Sequence, residues 1–92
     1  MKTIKMVVSG KVQHVGFRAC TKRIAVSLGV GGMVKNLSDG TVEITASGDP
    51  VILDKFVAMI HACPRVVIRE VEMKALPPHD YSDFCILREI SQ

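Results

Sequence analysis

Residues 2–29 read KTIKMVVSGKVQHVGFRACTKRIAVSLG, and within this stretch a strand pattern gives way to a helix pattern. The first part alternates apolar with polar side chains, which is the period of a β-strand with one buried face. After a glycine-containing segment, apolar residues return at three- and four-residue spacing, which is typical of one stripe of an α-helix. These helical positions are Phe17, Cys20, Ile24 and Leu28. The stretch therefore predicts a strand, a loop and a helix that stops at Gly29.

The next segment has the pattern of a β-hairpin. Residues 30–37 form a second extended run, and residues 41–47 alternate apolar with polar side chains. Between them lies the turn sequence Ser38-Asp39-Gly40, in which the glycine can supply a left-handed conformation. We expect two adjacent antiparallel strands.

A second helix and two more strands complete the pattern. Asp49 followed by Pro50 is a typical helix start, with proline at the first helical position. Residues 66–76 and the shorter segment 84–88 have strand character. The order β-α-β-β-α-β with a short fifth strand predicts an α+β, ferredoxin-like sandwich, in which two helices cover one face of a mixed, largely antiparallel sheet. We expect a single domain over residues 1–92.

Composition argues against a nucleic-acid-binding protein. Twelve Lys and Arg against nine Asp and Glu give a net charge of +3, and the basic residues are scattered along the chain. RNA-recognition domains share the strand and helix order, but they need aromatic side chains on their central strands, where this chain has Met6, Val8, Glu43 and Thr45. The mild positive charge favours small anionic ligands.

The three cysteines, Cys20, Cys63 and Cys85, lack the close spacing of a zinc site or a redox motif. We therefore expect reduced, mostly buried thiols and no metal. The sequence shows no signal-peptide pattern and no apolar run approaching the roughly 20 residues of a membrane span. These features predict a cytoplasmic monomer without a membrane partner.

The predicted topology brings two distant segments together. The first two strands belong to a β-α-β unit and should run parallel, so their carboxyl ends meet at one edge of the sheet. The segment over residues 10–18 would then lie near Lys35 and Asn36. Such a loop can aim backbone N–H groups at an anion, with help from the helix dipole and from the planar donor fork of Arg18. Taken alone, Arg18 is better explained as a surface residue on a helix, and Asn36 as the residue that starts the following turn.

Two motifs resemble those of the acylphosphatase family. Residues 10–18, GKVQHVGFR, are similar to the family pattern G-x-V-Q-G-V-x-F-R. Residues 32–36, GMVKN, followed by Gly40, Val42 and Gly48, are similar to the second family pattern, in which the motif K-N is followed by spaced glycines. The resemblance covers essentially the whole chain and has both motifs in the expected order.

The resemblance implies hydrolysis of acyl phosphates to carboxylate and inorganic phosphate, without a metal or cofactor. Arg18 and the backbone of the loop would bind phosphate, and Asn36 would hold the attacking water. The implied phosphate-binding loop consists of Gln13, His14, Val15, Gly16, Phe17 and Arg18.

Two positions depart from the family pattern. Met33 stands where the family has an aromatic residue, and we expect it to fill the same apolar space, with an effect on packing only. His14 stands where the family has glycine, and a side chain there would add strain if the backbone needs a positive φ. The alternative function is therefore a catalytically weakened domain of the same fold that binds phosphate or another protein.

Overall fold

The structure, a computed structural model, describes residues 1–88. The elements in this range are β1 (Lys2–Lys11), α1 (Phe17–Leu28), β2 (Gly31–Asn36), β3 (Val42–Gly48), α2 (Pro50–Ile60), β4 (Val67–Leu76) and β5 (Phe84–Leu87). The predicted β-α-β-β-α-β order with a short fifth strand is confirmed. The predicted single domain over residues 1–92 extends past the described residues. Neither helix in the described range is long and apolar enough to cross a membrane.

The five strands form one mixed sheet in the order β4-β1-β3-β2-β5. β1 pairs antiparallel with β3 and β4, β2 pairs antiparallel with β3, and β2 pairs parallel with β5. Because β1 and β2 both run antiparallel to β3, they run parallel to each other, as predicted. Their carboxyl ends, at Lys11 and Asn36, therefore lie at the same edge of the sheet.

The core lies between the sheet and the two helices. Met6, Ile44 and Val34 occupy neighbouring register positions on β1, β3 and β2, and all three are completely buried. Phe17 of α1 and Phe56 of α2 are buried in the same cluster. Burial of each such side chain stabilises the fold by about 1.5–3 kcal/mol. This packing holds the start of α1 against the sheet.

β1 is longer than predicted, because a bulge lets it continue past Ser9. The register with β4 shifts between Ser9 and Gly10, and pairing then continues to Lys11. Gly10 has a φ of 127°, and a Cβ at this position would overlap the carbonyl oxygen of Val67. Glycine therefore permits a close approach of two backbones that no other residue would allow.

The prediction of reduced thiols is wrong for two of the three cysteines. Cys20 of α1 and Cys63, just beyond α2, form a disulfide with their Cα atoms 6.2 Å apart, whereas Cys85 is free. The predicted burial of Cys20 and Cys63 is confirmed. Sequence spacing could not reveal this bond, because it depends on how the helices pack. Closing a ring of 43 residues stabilises the fold by about 4 kcal/mol in the chain-entropy description.

Candidate functional site

The loop between β1 and α1 turns through two left-handed residues. His14 has a φ of 62° and Gly16, which precedes α1, has a φ of 78°. The carbonyl oxygen of Gly16 accepts the first helical hydrogen bond from the N–H of Cys20, at 3.0 Å. Within residues 1–88, the backbone N–H groups of residues 15–18 donate to no protein acceptor. These are the unpaired donors of a helix start, and they attract an anion.

Gln13 ties this loop to the hairpin that follows Asn36. Its Nε2 atom donates to the carbonyl oxygens of Leu37 at 2.9 Å and of Thr41 at 2.8 Å. The predicted phosphate loop therefore includes a residue whose side chain bonds to the hairpin instead. These two bonds set the distance between the loop and the end of β2.

The hairpin turn has its own local support. The Asp39 carboxylate accepts hydrogen bonds from the hydroxyl of Thr41 at 2.6 Å and from its N–H at 3.0 Å. These bonds hold the pKa of the Asp39 carboxyl below its usual value. Gly40 is left-handed, with a φ of 92°, as the turn sequence predicted. The turn therefore holds in place the two carbonyl oxygens that accept hydrogen bonds from Gln13.

Arg18 and Asn36 line one cleft of about 530 Å³, together with His14, Gly16 and Phe17. The Oδ1 atom of Asn36 is buried and has no hydrogen-bond partner among residues 1–88. Leaving such an acceptor unpaired costs about 1–3 kcal/mol, so a buried amide of this kind calls for a ligand or a water. In the same range, no carboxylate forms a salt bridge with the Arg18 guanidinium.

The residues predicted as a loop divide by location. His14, Gly16, Phe17 and Arg18 border the cleft, whereas Gln13 and Val15 are not part of its wall. The Val15 side chain packs against the core, and the Phe17 side chain is buried in it. Contact with an anion would therefore come from the backbone of the loop and from the Arg18 side chain.

The sequence interpretation missed four residues of the cleft. Val12 and Ala19 flank the predicted loop, whereas Ile86 lies on β5 and Arg88 directly follows that strand. β5 pairs parallel with β2, with Val34 opposite Ile86, so the end of β5 lies beside Asn36. The short final strand in the sequence could have indicated Ile86 and Arg88. If that strand is assigned as a parallel neighbour of β2, its carboxyl end lies at the same edge of the sheet as Asn36.

The donors in the cleft suit an anion better than a metal cation. They are backbone N–H groups and a guanidinium, which carry positive charge or donate hydrogen bonds. Among residues 1–88, no three His, Cys, Asp or Glu side chains come together as a metal site would require. The arrangement can therefore hold a phosphate between Arg18 and the helix start.

Comparison with known proteins identifies the family. The acylphosphatase family model matches residues 4–86. The chain is 41% identical to the acylphosphatase of Ligilactobacillus salivarius, over 94% of this chain and 98% of that protein. It is 44% identical to the acylphosphatase of Archaeoglobus fulgidus, over 91% of this chain and 96% of that protein. The crystal structure of acylphosphatase from Bacillus subtilis superimposes with a TM-score of 0.90 and 30% identity, over 95% of this chain and 99% of the other. The chain belongs to the acylphosphatase family.

Proposed function

We propose that this protein hydrolyses acyl phosphates, with Arg18 and the loop amides binding the phosphate and Asn36 holding the attacking water. The family and the close relatives named acylphosphatase support the reaction. They do not favour a domain that has lost turnover. The residue roles are supported by the cleft, which Arg18, Asn36 and the residues before α1 line together.

The place of Asn36 in the wall of the cleft is the observation that carries its role. A carboxamide has both donor and acceptor atoms, so it can hold a water whose lone pair then faces the phosphorus. Gly16, Phe17 and Arg18 line the same cleft. A phosphate bound there would present its phosphorus to that water, which is the in-line arrangement that phosphoryl transfer needs.

The chemistry needs little acid catalysis from the protein. The water oxygen forms a bond to phosphorus, the bond from phosphorus to the acyl oxygen breaks, and the carboxylate leaves with the electron pair. A phosphate oxygen accepts the proton of the water. Because a carboxylate is a good leaving group, positioning and charge stabilisation by fixed donors are sufficient.

The test compares two variants of the site with a matched surface variant. Asn36→Ala, Arg18→Ala and Arg23→Ala are assayed for hydrolysis of benzoyl phosphate and for binding of inorganic phosphate. Arg23 is a fitting control, because it lies on α1, is exposed and does not line the cleft. Asn36→Ala should lower kcat at least about 100-fold while phosphate affinity stays within about twofold, because it removes the water and not the phosphate ligands.

Arg18→Ala should lower both kcat and phosphate affinity, by about 100-fold in kcat/KM, because the guanidinium contacts the phosphate in the ground state and the transition state. Arg23→Ala should match the parent. Turnover near the parent value in either Asn36→Ala or Arg18→Ala would exclude that residue from the mechanism.

The proposal extends to the state in which the protein works: a monomer that needs no metal, nucleic acid or membrane. The independence from metal is supported by the chemistry, since neither the leaving group nor the water requires a Lewis acid. Because disulfides such as Cys20–Cys63 are rare in cytosolic proteins, the cytoplasmic location stays a prediction from the sequence. Full turnover after EDTA treatment and elution as a monomer in gel filtration are the expected results.

A further inference from the structure

A second guanidinium lies beside the phosphate loop. Arg65 belongs to the segment between α2 and β4, and a Cβ placed on Gly16 would lie 3.5 Å from its Nη2 atom. Arg65 does not line the cleft, so it approaches the loop from outside. Neither the composition nor the family motifs drew attention to this residue.

The backbone at Arg65 is held in an unusual conformation. Its φ is 66°, and His14, with a φ of 62°, shares this feature; within residues 1–88, no other non-glycine residue has a positive φ. The left-handed conformation is unfavourable for residues that carry a Cβ. Strained residues persist where their surroundings hold them, and they concentrate at functional sites. His14 precedes Gly16 by two residues in the sequence, and the Arg65 side chain lies close to Gly16 in space.

The disulfide connects the segments that carry the two arginines. Cys20 follows Arg18 by two residues on α1, and Cys63 precedes Arg65 by two residues. Both cysteines are buried, so the bond is part of the packed interior. It holds the Arg65 segment against the first turn of α1.

The charge of Arg65 is available to the loop. No carboxylate within residues 1–88 forms a salt bridge with it, and the residue is exposed. We propose that Arg65 is a positioning residue that strengthens phosphate binding through its charge, without touching the reacting atoms, and that the Cys20–Cys63 disulfide keeps it there. This inference rests on the proposed function.

The size of the effect follows from Coulomb's law. A unit charge about 8 Å from a dianion, in water, changes its affinity by about fivefold at low salt. Screening reduces this to about twofold near 0.15 M ionic strength. The same charge acts on substrate and transition state alike, so KM changes and kcat does not.

The experiment measures binding of inorganic phosphate by calorimetry, and kcat and KM for benzoyl phosphate, at low and at near-physiological ionic strength. The variants are Arg65→Gln and Arg65→Lys, both of which keep a Cβ and therefore the same backbone strain. Lys74→Gln is the charge-matched control, because Lys74 is exposed and pairs with Lys5, far along β1 from the phosphate loop.

At low salt, Arg65→Gln should weaken phosphate binding and raise KM about fivefold with kcat within twofold of the parent. Arg65→Lys should recover most of the affinity, and the difference should shrink as salt is added. Lys74→Gln should bind phosphate as the parent does. If Arg65 had a purely structural role, Arg65→Gln would instead lower kcat or stability. In that case Arg65→Lys would not restore phosphate affinity, and added salt would not change the difference.

Dithiothreitol tests the role of the disulfide, since it converts Cys20 and Cys63 to two thiols while being oxidised to its cyclic disulfide. Reduction should raise KM in the parent by about the factor that Arg65→Gln does, and should have no further effect on KM in Arg65→Gln. Circular dichroism checks that the reduced chain stays folded. If it unfolds, the claim that the bond merely holds Arg65 is overturned, and the oxidised variants still decide the role of Arg65.

Comparison with Arg18→Ala distinguishes a failure of the role proposed for Arg65 from a failure of the proposed function. Normal phosphate affinity in Arg65→Gln, together with weakened affinity in Arg18→Ala, would overturn the role of Arg65 and leave the proposed function intact. Normal affinity in both variants would overturn the phosphate site itself.

Discussion

The two helices of the molecule begin in different ways. α1 begins after the left-handed Gly16, whereas α2 begins after Asp49, whose backbone is extended, and has Pro50 at its first position. Neither start has a side-chain capping bond or an acidic residue in its first turn. Only the start of α1, however, carries an arginine and lines a cleft together with Asn36.

The difference shows that a helix start is not by itself an anion site. At α2, proline removes one donor, and the Asp49 carboxylate supplies negative charge close to the positive end of the helix dipole. At α1, glycine adds no side chain and the first turn carries Arg18, so the positive charge at this end is left for a ligand. The sequence around each helix start therefore determines whether the positive end of the dipole interacts with a side chain of the protein or with an anionic ligand.

Replacing Gly16 with valine should have the largest effect. A β-branched residue cannot adopt the left-handed conformation without strain, so the loop amides would shift. A displacement near 1 Å is sufficient to lower kcat/KM for benzoyl phosphate about 100-fold. Gly29→Val is the matched control, because Gly29 ends the same helix with a φ of 71° and lies away from the cleft. Equal losses of activity in both variants would show that helix stability, and not the loop, is responsible.

Gln13→Ala should have the next largest effect. It removes both hydrogen bonds between the loop and the hairpin and leaves two carbonyl oxygens without that partner. We expect a loss of about 1–3 kcal/mol in the free energy of unfolding, from urea denaturation, and about a tenfold loss of kcat/KM. Asp39→Ala loosens the same turn without touching Gln13. If it reduces turnover as much, the bridge from Gln13 is not what positions Asn36.

His14→Gly should be a smaller, favourable change. Glycine removes the cost of the left-handed backbone but gains entropy in the unfolded chain, so the net stabilisation should be about 0.5–1 kcal/mol. Turnover should be at least that of the parent. His14→Ala keeps the strain and removes the imidazole, so a slow His14→Gly enzyme matched by a slow His14→Ala enzyme would show that the ring contributes to catalysis.

Asp49→Ala should have the smallest effect. The Asp49 side chain makes no capping hydrogen bond, so its contribution is limited to the helix dipole, about 0.3–1 kcal/mol. The thermal midpoint should fall slightly, and kcat and KM should not change. A measurable change in KM would mean that the start of α2 influences the cleft, against the contrast drawn between the two helices.

Local chemistry made much of the fold predictable. Gly29 and Gly40 adopt the expected left-handed conformations, and Pro50 starts α2. The parallel relation of β1 and β2 follows from a topological rule, and it places Asn36 near the loop. Each of these features depends on residues close in sequence or on a general rule of chain connection.

The features that escaped prediction depend on packing between distant segments. The Cys20–Cys63 bond forms because the stripe of α1 faces the end of α2, and spacing in the sequence carries no trace of that. Arg65 reaches Gly16 for the same reason. The side chain of Gln13 donates hydrogen bonds to two carbonyl oxygens of the hairpin. A sequence motif does not show which distant acceptors lie within reach of a side chain.

The disulfide places some elements of the fold inside a covalent ring and leaves others outside it. The covalent ring from Cys20 to Cys63 contains β2, β3 and α2 but not β1, which lies between β4 and β3 in the sheet. An oxidised chain that unfolds keeps this ring, so its hairpin and second helix search a restricted volume when they reform. Outside the ring lie β1, β4 and β5, so rebuilding the sheet requires β1 to pair with β3 of the ring and with β4, and β5 to pair with β2 of the ring.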